Sequence, residues 1–198
     1  MTKSVAVYIS DYGFGHASRV IAVIRALHFL NKKLVIHVRT SGPFKFVRKS
    51  CPYSKLYKSK NDVGVVCDSD TFLVNEDKSL KKARLWFEKK RSEYFSEEIR
   101  FLKKTKVHLV FSDIPPYPLE IASSLGVPSL AMSNFNWYWI YVNFKHAHRG
   151  QFLEALRKAY EKASLALFLP PHEGMQIFKT RIEIPLVTRQ LTKSPREI

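Results

Sequence analysis

Residues 5–24 read VAVYISDYGFGHASRVIAVI, and this stretch decides the fold. The β-rich run at residues 5–9 predicts a strand. A turn with two glycines follows, and then apolar residues recur at helical spacing from Val20 to Leu30, which predicts a helix. A strand, a glycine loop and a helix in this order are typical of the first unit of a parallel α/β domain.

The same alternation continues along the chain. Because the later strands are continuously apolar, both faces of their sheet should be covered by helices. We therefore predict a three-layer α/β domain with a Rossmann-like, doubly wound parallel sheet. The predicted strands are 34–38, 107–111, 127–132 and 165–169, with short ones at 53–57, 63–66 and 71–74, and the predicted helices begin after Pro43 and cover 77–104, 117–125 and 152–160.

Residues 121–144 contain no charged side chain and are long enough to span a membrane. Gly126 and Pro128 interrupt this stretch, so it is interpreted instead as a helix end, a turn, a buried strand, a loop and the next helix.

The composition is that of one globular domain. The chain has 198 residues, of which 45% are hydrophobic and 25% charged, which excludes a disordered tail, a collagen-like fibre and a disulfide scaffold. Cys51 and Cys67 do not form a CxxC pair, and no secretory signal is visible at the start of the sequence. We expect no zinc site and a cytoplasmic protein.

The chain is strongly basic. Its 33 Lys and Arg against 17 Asp and Glu give a net charge of +16, and residues 31–60 hold nine basic side chains and no acidic one. This positive charge favours an anionic partner, either a phosphorylated ligand or an anionic membrane surface. The alternative is that the basic side chains form a solvated surface that keeps the protein soluble. The charge gives little support to nucleic acid as a partner, because no helix-turn-helix, zinc finger or RNP-type strand accompanies it.

Ligands of open parallel sheets bind beyond the carboxyl ends of the strands. The segments that follow the predicted strands, and that are therefore candidates for a ligand site, are residues 11–16, 39–41, 113–116 and 133–137. In the first of these, Gly13, Phe14 and Gly15 form a loop that lets a ligand approach the backbone at a helix N-terminus. A dinucleotide site has an acidic residue where this chain has Arg39, which leaves NADP rather than NAD as the dinucleotide alternative.

His16 stands at the start of the first helix and Asp113 at the end of a central strand. The two would face the same crevice, where the carboxylate would fix the imidazole tautomer and His16 would act as a general base. The alternative is structural: His16 caps the helix, and Asp113 is a turn residue before Pro115.

A cluster of aromatic residues covers residues 135–141 and Phe144. It predicts a buried helix that packs on the sheet, and any exposed ring would suit an apolar or aromatic ligand.

Three segments carry a resemblance to a known family. They are SDYGFGHASR at residues 10–19, VFSDIPP at 110–116 and GVPSLAMSNFNW at 126–137. In this order they resemble the N-terminal half of GT-B glycosyltransferases, and in particular the glycosyltransferase-like domain that precedes the kinase in plant L-arabinokinases. The likeness extends over nearly the whole chain.

The resemblance implies an inverting enzyme with two Rossmann-like domains that face each other across a cleft. The N-terminal domain would bind a hydroxyl acceptor and the C-terminal one a nucleotide-sugar donor, with no metal and no further cofactor. His16 would be the general base and Asp113 its orienting group. The implied donor-approach residues are Gly13, Phe14 and Gly15, and the implied acceptor-side residues are Asn134, Phe135 and Trp137.

The same resemblance predicts the organisation of the chain. Residues 1–187 would form the glycosyltransferase domain, and 188–198 a linker toward an absent C-terminal donor domain. The expected macromolecular partner is therefore that domain or a partner subunit, and the expected small molecules are the nucleotide-sugar and the hydroxyl acceptor. Residues 31–60 would also contact the inner face of an anionic membrane. A non-catalytic sugar- or nucleotide-binding module, or one subunit of a two-chain enzyme, is the alternative.

Overall fold

The computed structural model describes residues 2–147 and 150–188. Across these residues, seven strands form one parallel sheet in the order β3-β2-β1-β4-β5-β6-β7. The two edge strands, β3 and β7, are each three residues long. The strands are β1 (Ser4–Ile9), β2 (Val35–Arg39), β3 (Lys55–Tyr57), β4 (Leu109–Asp113), β5 (Ser129–Ser133), β6 (Leu165–Phe168) and β7 (Arg181–Glu183).

Helices connect most of the strands, as a parallel sheet requires. They are α1 (Gly15–Leu30), α2 (Phe44–Ser50), α3 (Glu76–Thr105), α4 (Tyr117–Ser124), α5 (Trp137–Val142) and α6 (Gln151–Tyr160), with a 3₁₀ turn at Met175–Ile177.

Alternate residues of β1 divide the core into two layers. Val5, Val7 and Ile9 pack with α1 and α2 on one face of the sheet. Ala6 and Tyr8 pack on the other face with residues of α3, α4, α5 and α6. The prediction of a three-layer, doubly wound parallel α/β domain is therefore confirmed.

Helix α3 has clear sequence signals at both ends. Asn75 caps its start, because its side-chain oxygen accepts a hydrogen bond from the Lys78 N–H at 3.0 Å. The helix ends at Lys106, which adopts a left-handed backbone conformation with φ of 48°. This long helix, predicted over 77–104, lies across the face of the sheet opposite α1.

Two short predicted strands are wrong. Residues 63–66 and 71–74 form a loop, in which the described residues contain one isolated antiparallel bridge, between Cys67 and Val74. Gly64 explains the difference: its φ is +59°, and a Cβ there would lie 2.3 Å from the Tyr12 ring. This segment is therefore shaped by close packing against Tyr12 and does not extend the sheet.

Strand β7 was not predicted from the sequence. All three of its residues are exposed, so no apolar pattern marks it. It is held by parallel pairing with β6, where Leu167 aligns with Ile182.

The stretch 121–144 has the predicted order of helix end, turn, strand, loop and helix. Within the described part of the chain, we find no helix whose length and apolar character would let it cross a membrane. Of the predicted linker 188–198, only Thr188 belongs to the described residues.

Candidate active site

The carboxyl ends of β1 and β4 lie side by side in the centre of the sheet. Ile9, the last residue of β1, pairs with Asp113, the last residue of β4. The chain builds the sheet outward in one direction from β1 to β3 and in the other direction from β4 onward. Such a point of reversal is where open α/β sheets bind ligands.

The structure brings His16 and Asp113 into contact at this point. His16 Nδ1 lies 2.7 Å from Asp113 Oδ1, although the two residues are 97 positions apart in the chain. Asp113 is fully buried, and His16 is only 7% exposed. The pair therefore has the proximity that its predicted chemistry needs, in a site largely shielded from bulk water.

Arg19 joins the pair and was not singled out from the sequence. Its Nε donates to Asp113 Oδ2 at 2.5 Å, and its Nη2 donates to Asp113 Oδ1 at 2.7 Å. Its Nη1 donates to Asn134 Oδ1 at 3.1 Å. Arg19 follows His16 by three residues on α1, and this spacing was the available signal, since it places both side chains on one helix face.

The contacts assign a tautomer to His16. Arg19 Nη2 also lies 3.0 Å from His16 Nδ1. Because a guanidinium only donates and an ionised carboxylate only accepts, Nδ1 cannot satisfy both neighbours. The shorter contact, at 2.7 Å, places the proton on Nδ1, from which it is donated to Asp113. Nε2 then carries the free lone pair.

The charges in the site are fixed by mutual pairing. Burial would raise the pKa of Asp113, but hydrogen bonds from Arg19 and the adjacent His16 hold that pKa below its usual range. Burial would lower the pKa of Arg19, but the hydrogen bonds and charge of Asp113 outweigh this effect and raise the pKa of Arg19 above its usual value. Asp113 is therefore an anion and Arg19 a cation at neutral pH.

A cavity of about 400 Å³ opens beside these residues. Its walls come from the first turns of α1, the loop after β5 and the chain that follows β6. This volume falls in the range of small-molecule sites. The lining residues are Gly15, Ser18, Arg19, Asn134, Leu169, Pro170, Pro171, Leu186, Val187 and Thr188.

The glycine loop is divided between two surfaces. Gly15 lines the 400 Å³ cavity, and Gly13 has a φ of +70°, which glycine adopts without strain. Phe14 is 64% exposed and points away from the cavity, with its ring 5.7 Å from that of Phe46.

Asp11 holds the loops around the site together. Its carboxylate accepts hydrogen bonds from the backbone N–H groups of Ser41, Gly42 and Asn61, at 2.6–2.7 Å. A Cβ at position 42 would lie 2.5 Å from the Asp11 carbonyl oxygen, so glycine is required there. The loops that follow β1, β2 and β3 are thereby fixed to one another.

The three predicted acceptor-side residues take different positions. Asn134 contacts Arg19, and the Phe135 ring lies edge-to-face against the His16 imidazole at 5.8 Å. Trp137 is only 2% exposed and donates its indole N–H to Asp62 at 3.0 Å. The structure thus brings Phe135 to His16 and Asn134 to Arg19, and it places Trp137 one ring further inside.

The aromatic segment forms the buried helix that was predicted for it. Trp137 and Tyr141 on α5 are both buried in the core, and their rings stack at 5.9 Å. Tyr12 lies edge-to-face on Trp137 at 5.6 Å, so an aromatic wall runs inward from the site.

The NADP alternative is wrong. Arg39 is buried and forms an ion pair with the fully buried Glu98, to which Tyr8 and Ser59 also donate hydrogen bonds. Its guanidinium also lies over the Phe101 ring at 4.4 Å. A side chain held in this way is not available to bind a 2′-phosphate.

Among the residues that the structure describes, no group of three or more His, Cys, Asp or Glu side chains is placed to hold a metal ion. The side chains that meet at this edge of the sheet are the imidazole of His16, the carboxylate of Asp113 and the guanidinium of Arg19.

The fold and the site define a Rossmann-like α/β domain with a histidine–aspartate pair at the carboxyl edge of its parallel sheet. More particularly, it matches one Rossmann-like half of the GT-B glycosyltransferase fold, as three solved structures show. These are the glycosyltransferase MurG from Acinetobacter baumannii and two UDP-sugar-dependent enzymes, a UDP-glucosyltransferase from Polygonum tinctorium and a UDP-glucose:anthocyanidin 3-O-glucosyltransferase.

The structural matches are extensive although the sequences differ. MurG superposes with a TM-score of 0.53 at 15% identity, over 91% of this chain and 45% of its own. The Polygonum enzyme gives 0.58 at 10% identity, over 99% and 55%. The anthocyanidin enzyme gives 0.55 at 11% identity, over 98% and 55%. The chain thus spans about half the length of these proteins.

One curated relative is similar in sequence. L-arabinokinase from Arabidopsis thaliana is 31% identical over 198 residues, which cover 98% of this chain and 19% of the relative. The chain therefore spans about a fifth of that protein. No protein-family model matches the chain. The resemblances to a GT-B N-terminal domain and to the plant L-arabinokinase sequence are confirmed.

Proposed function

We propose that this chain is the acceptor-binding half of an inverting glycosyltransferase, which transfers a sugar from a nucleotide-sugar donor to a hydroxyl acceptor. The observation that carries the proposal is the buried His16–Asp113 contact of 2.7 Å beside an open cavity. The fold adds support, since the similar structures include UDP-dependent transferases.

In this mechanism His16 is the general base. Its Nε2 accepts the proton of the acceptor hydroxyl, and the resulting oxygen nucleophile attacks the anomeric carbon. The bond from that carbon to the nucleotide phosphate breaks as the new glycosidic bond forms, so the configuration inverts. The negative charge leaves with the nucleotide, while the proton stays on the imidazole.

Asp113 and Arg19 position this base. Asp113 accepts the Nδ1 proton of His16, which holds the ring in the basic tautomer and stabilises the imidazolium that forms. Arg19 keeps Asp113 ionised through two hydrogen bonds, so the carboxylate cannot take the proton itself. Arg19 is thus a positioning residue that acts through Asp113.

The surroundings suit the two substrates. The backbone at Gly13, Phe14 and Gly15 precedes the free N–H groups of α1, which favour the donor phosphates. Phe135 contacts His16 and Asn134 contacts Arg19 on the other side, where the acceptor hydroxyl would lie. Trp137 supports Phe135 from behind, with ring centroids 5.6 Å apart.

The decisive experiment compares His16→Ala with His28→Ala, in the protein that carries this chain together with its donor-binding half. Release of nucleoside diphosphate from a panel of nucleotide-sugars is measured with and without acceptors. We expect His16→Ala to lower turnover by about 10²–10⁴-fold. His28 lies on the same helix and stacks on Tyr53, away from the site, so its variant should stay within about twofold.

Two results would contradict the proposal that this chain is half of a glycosyltransferase with His16 as its base. Wild-type turnover by His16→Ala would remove the assigned base. Saturable nucleotide-sugar binding with no transfer by the wild-type protein, unchanged in His16→Ala, would instead establish the non-catalytic binding module.

We also propose a peripheral contact with an anionic membrane through the basic segment 31–60. The support is a cavity of about 720 Å³ next to the site, where the exposed Phe14 and the partly buried Phe46 lie among Lys45, Arg48 and Lys58. Aromatic rings beside basic side chains are the combination that anionic interfaces favour.

This contact is tested by co-sedimentation with phosphatidylserine vesicles. The double variant Lys45→Gln/Arg48→Gln should reduce binding several-fold, because each basic residue near the surface contributes about 1 kcal/mol. Lys81→Gln/Lys89→Gln on α3 removes the same charge elsewhere and is the control. Equal losses in both variants would show that only net charge matters.

A further inference from the structure

The amino ends of the strands carry a second cavity, far from His16. This cavity, which we call the lower pocket, has a volume of about 630 Å³. It is formed where β1, β2 and β3 begin and where α3 ends. Its lining residues are Thr2, Ser4, Val35, His37, Lys55, Tyr57, Lys104, Thr105, Lys106 and His108.

The charge of the lower pocket has one sign. Lys55, Lys104 and Lys106 line it, and its lining residues, all within the described part of the chain, include no Asp or Glu. The last carbonyl groups of α3 also lie at this end and would repel an anion. Lys103 and Lys104 in the last turn of the helix oppose that effect, so the net field of the lower pocket is positive.

One side chain that lines the lower pocket has a nitrogen atom without a partner among the described residues. His37 is only 5% exposed, and its Nδ1 has no hydrogen-bond partner among the described residues. Unpaired buried nitrogen atoms are uncommon, because each costs free energy unless a ligand or water satisfies it.

The second imidazole is oriented by the backbone. His108 Nδ1 lies 3.3 Å from the Ser4 N–H, which can only donate, so Nδ1 accepts and the ring proton is on Nε2. Ser4 Oγ in turn donates to the Lys106 carbonyl at 3.1 Å. His108 thus presents an N–H donor from a fixed ring at the margin of the lower pocket.

Burial and the nearby Lys55 lower the pKa of His37. The imidazole is therefore neutral at neutral pH in the empty pocket. An anion next to it would oppose both effects, so binding would be accompanied by a rise in that pKa.

We propose that the lower pocket binds the phosphate group of a small anionic molecule. Lysines are suited to phosphate as compact cations, and the hydroxyl group of Thr2 adds a donor. The volume leaves room for an organic part about the size of a sugar or nucleoside. This site lies at the opposite end of the sheet from the proposed catalytic site and does not depend on its function.

The test uses inorganic phosphate and pyrophosphate as probes, titrated into the purified chain at constant ionic strength maintained with chloride. Affinity is measured by calorimetry, and the imidazole signals of His37 and His108 are followed by NMR. We expect saturable binding that shifts both signals. Absence of saturation, or signals that do not move, would overturn the proposal.

Two matched variants separate the lower pocket from general charge. Lys55→Gln/Lys104→Gln removes two of its cations and should weaken pyrophosphate binding about tenfold or more. Lys81→Gln/Lys89→Gln removes the same charge from the distant first half of α3 and should change it less than about twofold. Equal weakening in the two variants would overturn the proposal.

His37→Phe keeps the packing of the ring and removes its nitrogen atoms. It should weaken binding several-fold while the protein stays folded, and unchanged affinity would exclude His37 from the site. Vesicles that contain phosphatidic acid provide a further arm. Competition by vesicles that depends on Lys55 and Lys104 assigns the phosphate to a lipid headgroup, and binding of the free ions alone assigns it to a soluble molecule.

Discussion

Two fully buried carboxylates, Asp113 and Glu98, each pair with an arginine, yet their surroundings differ. Glu98 accepts hydrogen bonds from Arg39, Tyr8 and Ser59 in the interior between α3 and the sheet. Asp113 pairs with Arg19 and also contacts a histidine, and Arg19 lines an open cavity.

The difference shows which features mark a functional site. A buried ion pair is by itself weak evidence for chemistry, because it also occurs as a structural element. At Glu98 the surrounding protein groups supply several donors. At Asp113 an imidazole contacts the pair and Arg19 lines a ligand-sized cavity, which is the arrangement that the proposed proton transfer to His16 needs.

The largest expected effect on stability is at Glu98. Glu98→Ala leaves Arg39 buried without its partner, and the free energy of unfolding should fall by about 3–5 kcal/mol. Urea unfolding measures this loss. The double variant Arg39→Met/Glu98→Leu removes both charges and should be more stable than Glu98→Ala. A loss below about 1 kcal/mol would contradict the view that the Glu98–Arg39 ion pair stabilises the fold.

A third buried carboxylate, Asp62, has no arginine partner among the residues that the structure describes, and it sharpens the comparison. Burial and the neighbouring Asp11 raise the pKa of Asp62 to about 6, against an ordinary value of 3.8. The folded state therefore holds the proton more tightly than the unfolded state. The contribution of Asp62 to stability is fully present below pH 3.8 and is lost as pH rises through 6, which amounts to about 3 kcal/mol.

The measurement is the difference in unfolding free energy between wild type and Asp62→Asn from pH 3.5 to 7. Wild type should lose stability relative to the variant across this window. A difference that is constant with pH would contradict a raised pKa at Asp62.

The smallest expected effect on stability is at Asp113. Asp113→Asn should lower the unfolding free energy by about 1–3 kcal/mol, because water in the adjoining cavity can solvate Arg19. Transfer activity should fall far more than stability. Asp70→Asn, at an exposed aspartate, serves as the control and should stay within about 0.5 kcal/mol. An effect as large as that of Glu98→Ala would end the distinction between the two pairs.

The regular elements near the site could be predicted because their signals are local. The apolar runs of β1, β4 and β5 and the helical spacing of α1 and α3 each lie within one segment of sequence. The contact between His16 and Asp113 followed from the rule that parallel strands end at one edge.

The parts that escaped prediction depend on partners distant in sequence. Arg39 pairs with Glu98, 59 residues away, and Trp137 bonds Asp62, 75 residues away. Neither partner is visible in a local pattern, so the ion pair that rules out the NADP alternative at Arg39 and the hydrogen bond that holds Trp137 in the core could not be predicted. Arg19 differs from these two residues, because it was missed although its three-residue spacing from His16 is a local signal.

The short edge strands have a consequence for the behaviour of the protein in solution. An exposed strand edge offers unpaired backbone groups to other chains and promotes aggregation. Here both edges are only three residues long, and they carry Lys55 on one side and Arg181 and Glu183 on the other. A strand from a neighbouring molecule could pair with only a few backbone groups here, and it would have to remove water from charged side chains. The sheet therefore resists growth by edge-to-edge addition.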